Sequence, residues 1–174
     1  MSLRRHHEGM GAHDDFAGFY AATWSRLLRT TYAITGDAQL AEDALQIGFA
    51  RAYASWSRVK QADDPIAYVR RIAVNAALGQ RRRAFTRREV STAEVPELSI
   101  HLTSGHDQDV WRVVQQLPAR QRAVIVLRYY EDLSELQIAE TLGCRPGTVK
   151  SQASAALATM RGLLREHVQE EERT

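Results

Sequence analysis

Apolar residues recur at three- and four-residue steps along most of this chain, the period of helices with one buried face. Phe16, Phe19, Tyr20, Trp24, Leu27, Leu28 and Ala33 form the first such stripe. Gly36 and Asp37 interrupt it, and Asp37 is placed to cap a second helix. That helix carries Leu40, Ala41, Leu45, Phe49, Ala52, Tyr53 and Trp56 on one side. The polar stretch from Ser57 to Asp64 reads as a loop, with Asp64 before Pro65 as the start signal of a third helix. The third helix buries Ile66, Val69, Ile72, Ala73 and Ala76 and ends in Arg81, Arg82 and Arg83. Residues 84–108 have few large apolar side chains and include a proline, a glycine and several Ser/Thr, so they predict a flexible linker. Such a chain of about 25 residues reaches up to ~80 Å when taut.

The helical period returns at Val110 and lasts to about Val168, broken at Pro118 and Gly143. No strand-like alternation persists beyond a few residues, so the expected fold class is all-α. The expected divisions are a polar, disordered tail over 1–14, a helical domain over 15–83 and the linker over 84–108. A second helical domain then covers 109–168, followed by a charged tail over 169–174.

The stretch from Leu133 to Leu164 has the form of a helix-turn-helix. Ile138, Leu142 and Val149 fall where apolar residues fix the crossing of the two helices. Ala139 sits at their close approach, Gly143 supplies the turn, and Pro146 takes the first helical position, where its missing N–H costs nothing. Val149, Ala153, Leu157, Met160 and Leu164 then make a buried stripe. Opposite them lie Arg145, Thr148, Lys150, Ser151, Gln152 and Ser154. Hydroxyls and amides of that kind suit base edges, and the two cations suit phosphates. A plain helical hairpin with a solvated face shares the pattern, but the upstream helices VWRVVQQLPARQRAVIVLRYY favour the DNA-binding reading.

Composition narrows the function classes. A chain of 174 residues holds one domain or two small ones. The net charge of +2 excludes little, but lysine occurs only at Lys60 and Lys150, so arginine supplies almost all the positive charge. Arginine forks fit phosphate and guanine edges, although a GC-rich genome gives the same bias. No apolar run reaches the ~18 residues of a membrane span. The N-terminus lacks the hydrophobic segment of a secretory signal, and the single Cys144 provides no disulfide framework. A soluble cytoplasmic protein is expected. His6, His7 and His13 have no Cys or Asp framework around them, and Asp63 and Asp64 have no histidine partner. With no phosphate cradle and no nucleophile motif either, neither metal, cofactor nor enzymatic activity is expected.

LPARQRAVIVLRYYEDLSELQIAETLGCRPGTVKSQASAAL resembles the promoter-binding C-terminal domain of bacterial sigma factors. The nearest likeness is to the short two-domain extracytoplasmic-function group, particularly its actinobacterial members. GDAQLAEDALQIGFARAYASW resembles that group's polymerase-binding helix, and DPIAYVRRIAVNAALGQRRR resembles the helix that reads and opens the minus-ten element. The resemblance implies two helical domains in a non-enzymatic factor that gives RNA polymerase core its promoter specificity. It implies promoter DNA as the second partner, and a two-domain chain of this kind also admits an anti-sigma factor.

Glu42, Asp43, Gln46, Ile47 and Arg51 would then meet the polymerase; an outward isoleucine among carboxylates suits a protein interface. Arg70, Arg71, Asn75, Arg81 and Arg82 would meet the minus-ten element, as a cationic strip that also fits the negative end of a helix dipole. The loop from Ser57 to Asp64 would hold a flipped base, while Trp56 is better placed for core packing. Some positions depart from the family. Ile47 replaces a common acidic residue, Arg145 a capping serine, and Ala155 and Ala156 stand where relatives carry an arginine. The competing readings are a stand-alone helix-turn-helix regulator with a sensing or dimerising N-terminal half, and a pure protein-interaction module.

Overall fold

The structure, a computed structural model, describes residues 3–87 and 105–171. Their elements are α1 (Leu3–Thr35), α2 (Ala38–Ala54), α3 (Trp56–Val59), α4 (Pro65–Arg87), α5 (Gly105–Gln116), α6 (Ala119–Tyr129), α7 (Glu135–Leu142) and α8 (Pro146–Glu171). No strand occurs among the described residues, in line with the all-α expectation.

Helix α1 begins at Leu3, well before the expected start at Asp15, so residues 3–14 of the segment expected to be a disordered tail are helical. Once the apolar face from Phe16 onward is anchored, each added residue gains a backbone bond at little cost, and no proline blocks the extension. Thr23, Thr30, Thr31 and Thr35 are buried in this helix. The hydroxyls of Thr23, Thr31 and Thr35 donate back to the carbonyls of Phe19, Leu27 and Thr31 within the helix, while that of Thr30 lies between the Arg26 carbonyl and the Glu131 carboxylate. The helix stops at Gly36, whose φ of 69° lies in the left-handed region.

The predicted caps form. Asp37 accepts from the Leu40 N–H at 3.0 Å and starts α2, and Asp64 accepts from the Ala67 N–H at 2.9 Å and starts α4. Within the expected loop, Trp56–Val59 makes one helical turn, α3, that buries Trp56 and Val59. Helix α2 crosses α4 closely at Gly48, where a Cβ would come within 3.0 Å of the Val69 carbonyl oxygen. Leu27, Leu28, Leu45, Phe49, Trp56, Val69 and Ala73 fill the first core, with Phe16 meeting Trp56 edge-on at 5.2 Å. Tyr53, expected in the apolar stripe, is 52% exposed at the rim of this aromatic cluster.

In the C-terminal half, Ser134 and Gln137 form a reciprocal capping box at the start of α7. Gly143 ends that helix at φ 62°, ψ 42°, and α8 begins at Pro146 as the sequence predicts. Val114, Leu117, residues 123–127, Ile138, Leu142, Val149, Ala153 and Ala156 make the second core.

This second core is not confined to its own half. Ala33 and Ile34 of α1 and Val74 of α4 belong to it, and Trp111 packs against both cores. Helix α4 is therefore buried on two sides. Val69 and Ala73 face the first core and Val74 joins the second, whereas Ile66, Ile72 and Ala76, expected to be buried, are only half-buried. Fully buried Arg122 ties the junction. Its two Nη atoms donate to the Gln115 side chain at 2.7 Å and to the carbonyls of Ile34, Gln115 and Leu117.

Residues 88–104 of the expected linker lie outside the described residues. At its margins α4 runs on to Arg87 and α5 starts at Gly105, so both helices enter the span 84–108.

Candidate functional site

Three surfaces carry the residues singled out in the sequence. The first is on α8. Val149, Ala153 and Ala156 point into the core, and the same helical phase sends Arg145, Thr148, Lys150, Ser151 and Ser154 to solvent, with Gln152 half-buried between them. Arg145 occupies the N-cap position, since its carbonyl accepts from the N–H groups of Thr148 at 2.9 Å and Val149 at 3.3 Å. A serine there would cap the helix with its hydroxyl; the arginine sends a guanidinium outward instead. Glu135 stands beside this face, taking Arg128 at 2.7 Å and lying 3.8 Å from Lys150 Nζ. It holds two cations at the edge of the exposed strip. Of the two alanines expected to replace a DNA-facing arginine, only Ala155 faces out; Ala156 is a core residue.

The second surface is on α2. Glu42 and Asp43 are half-buried, and Gln46, Ile47 and Arg51 are exposed along the same side. Asp43 is oriented by Gln39, whose side-chain amide donates to Oδ1 at 2.9 Å. Ile47, 36% exposed, and Arg51 form one wall of a groove of about 420 Å³. Arg71, Ile72 and Asn75 of α4 form the other, so residues expected to meet polymerase and residues expected to meet DNA share one groove.

The third surface, on α4, corrects the expected cationic strip. Arg71 and Arg82 are exposed, but Arg70 is only 4% exposed. Successive helical residues diverge by about 100°, so Arg70 faces the C-terminal half when Arg71 faces solvent. The Arg70 guanidinium sits 3.7 Å from Asp64 and 3.6 Å from Glu131, and its Nε has no partner. Asn75 donates to the Arg71 carbonyl at 2.7 Å and to the Thr141 carbonyl of α7 at 2.6 Å. The side chain of Arg81 lies outside the described residues. Trp56 is buried in the first core, and Tyr68 lines a cleft of about 760 Å³ between α4 and the α7 turn.

Sequence reasoning missed Glu131. Its carboxylate is fully buried and collects Arg26 at 2.9 Å, the Thr30 hydroxyl and Arg70, all from the other half. Nothing in the polar run YYEDLS distinguishes it from a solvated turn. Cys144 packs half-buried against the second core. Among the described residues, no group of three His, Cys, Asp or Glu side chains could hold a metal, and no helix is long and apolar enough to cross a membrane.

Comparison with known proteins gives the same two-part division. Residues 19–86 match the family model for sigma-70 region 2, and residues 107–160 match that for sigma-70, region 4. The chain is 32% identical over 155 residues to the RNA polymerase sigma-E factor of Streptomyces coelicolor, covering 87% of each. It is 33% identical over 153 residues to the ECF RNA polymerase sigma factor SigL of Mycobacterium tuberculosis, covering 84% of each. Among solved structures, the sigma factor RpoE of Bartonella quintana, in complex with the anti-sigma factor NepR, superposes with a TM-score of 0.68 at 24% identity. That alignment covers 87% of this chain and 97% of that one, and it carries the fold alone.

Proposed function

Because the chain belongs to the sigma-70 family, as a factor of the extracytoplasmic-function type, we propose how its residues divide the work of promoter-specific transcription initiation. The observation that carries the proposal is the outward strip of Arg145, Thr148, Lys150, Ser151 and Ser154 on a helix whose opposite side is locked into the core. Inserted in the major groove of the minus-thirty-five element, that strip offers hydroxyls to base edges and cations to phosphates. Gln152 adds an amide at its edge. In the N-terminal half, Glu42, Asp43, Gln46, Ile47 and Arg51 dock on RNA polymerase core, an acidic-apolar patch that fits a protein partner better than water.

Arg71, Asn75, Arg81 and Arg82 serve the minus-ten element, as phosphate contacts and, for Asn75, a base-edge contact, while buried Arg70 is held at the junction beside Glu131. Strand opening costs a few kcal/mol of unstacking per flipped base, which stacking and hydrogen bonding in the protein must return. The factor itself performs no bond chemistry. An anti-sigma factor is a further partner, with the cleft between α4 and α7 as its point of entry.

Arg145 tests the minus-thirty-five assignment. Arg145→Ala should weaken holoenzyme binding to a minus-thirty-five duplex by about 1–3 kcal/mol, measured by fluorescence anisotropy at fixed salt. An unchanged affinity would leave Arg145 as nothing more than a poor helix cap.

A further inference from the structure

We propose that Glu135 is a counter-charge built into the minus-thirty-five face. Its carboxylate fills a notch between α6, α7 and α8 that would otherwise hold a DNA backbone phosphate, and the two anions compete for Arg128 and Lys150. The proposal rests on the assignment of α8 given above.

The notch is a groove of about 260 Å³ on the flank of the recognition strip. Arg128 of α6 lines it, together with Lys150, Ser154 and Arg161 of α8. Those three α8 residues are exposed and separated by four and seven positions, so they form one ridge of the helix. The ridge starts inside the strip assigned to base edges and phosphates and continues beyond it. Three cations and a hydroxyl around a shallow groove suit an anion with several oxygens.

The anion in the notch is the protein's own. Glu135 Oε1 accepts from Arg128 Nη2 at 2.7 Å, and Oε2 lies 3.8 Å from Lys150 Nζ. The Arg128 and Glu135 side chains are 28% and 29% exposed, so this pair is partly withdrawn from water, whereas Lys150 reaches well into it.

The cap of α7 does not need Glu135. Ser134 and Gln137 close the capping box between them, each side chain accepting from the other's backbone N–H. An acidic first-turn residue favours the helix dipole, but a partly exposed ion pair adds little to stability. The carboxylate has its larger consequence at the DNA face. There it cancels one of the two charges that Arg128 and Lys150 bring to the backbone. It holds down the sequence-independent part of the affinity and leaves recognition resting on the base edges.

The test is holoenzyme binding to a minus-thirty-five duplex and to a duplex of unrelated sequence, by fluorescence anisotropy across a salt series. Glu135→Gln keeps the size and helix-forming tendency of the side chain and removes its charge. It should tighten binding to both duplexes by about fivefold at about 0.15 M salt. It should also steepen the dependence of log K on log salt by about 0.9, the signature of one added phosphate contact. Arg128→Gln/Glu135→Gln should return to the unaltered slope, because the second change removes the cation that the first set free.

Looser binding or a flatter slope in Glu135→Gln overturns the proposal, since Glu135 would then be orienting Arg128 for DNA. An unchanged slope overturns it too, as does a gain confined to one duplex, because a phosphate contact is blind to sequence. Ser151→Ala, assayed on the same two duplexes, reports on the α8 assignment itself. It should reduce the preference for the minus-thirty-five duplex and leave the slope alone.

Discussion

Arg122→Ala should lower the stability of the folded chain by about 3–5 kcal/mol, the cost of stripping the donor from several buried acceptors. Arg122 is 2% exposed, and its two Nη atoms serve three backbone carbonyls and one side-chain amide, drawn from the ends of α1 and α5 and the turn after α5. Each buried acceptor left without a donor costs about 1–3 kcal/mol, and the vacated volume adds to that. Gln115 loses its anchor too, and with it the positioning of the amide that donates to the Ala33 carbonyl at 3.1 Å. Arg122→Lys should recover little, because an ammonium cannot reach the same acceptors as a planar fork. In a thermal melt followed by circular dichroism, the alanine variant should fall by roughly 10 °C, at ~2–4 °C per kcal/mol for a chain of this size. A fall under ~3 °C would mean that the junction between the halves does not depend on this arginine.

Asp43→Arg is expected to abolish retention by core polymerase without unfolding the chain. Arginine is a good helix former, and among the described residues the side-chain bond of Asp43 is to Gln39, within its own helix. The melting temperature should therefore stay within a few degrees. At the interface, however, the change reverses a charge beside Glu42 and within one turn of Ile47, in a patch that would be desolvated on docking. Losing one partner of such a charge contact costs about 2–5 kcal/mol, and a like-charge clash adds to it, so affinity should fall at least a hundredfold. A pull-down with purified core polymerase reads this directly, and undiminished retention would remove α2 from the interface.

Where a feature is set by local chemistry, the sequence carries it. The caps at Asp37 and Asp64, the left-handed stop at Gly143 and the start of α8 at Pro146 each depend on a residue and its next few neighbours. The phase of α8 is local as well, which is why its outward strip was legible. The junction between the halves is not. Arg122 sits between Arg120 and Gln121 on one side and Ala123 on the other, a context that reads as a helix surface, and arginine is seldom fully buried. Glu131 hides in a polar turn, and Arg70 was grouped with Arg71 although one helical step sends them to different surroundings. Val74 and Ala77 are buried, outside the single stripe expected for α4, and Val74 is there because α4 also packs on the other half. Tertiary packing decided these positions, and no local period encodes it.

The central claim is that this chain gives polymerase a promoter. Run-off transcription with purified bacterial core polymerase, on a library of promoter fragments, tests it most directly. Specific transcripts should appear only when the protein is added, and should disappear with Asp43→Arg. No transcripts, together with specific shifts of the same fragments by the protein alone, would contradict the claim and make it a stand-alone helix-turn-helix regulator.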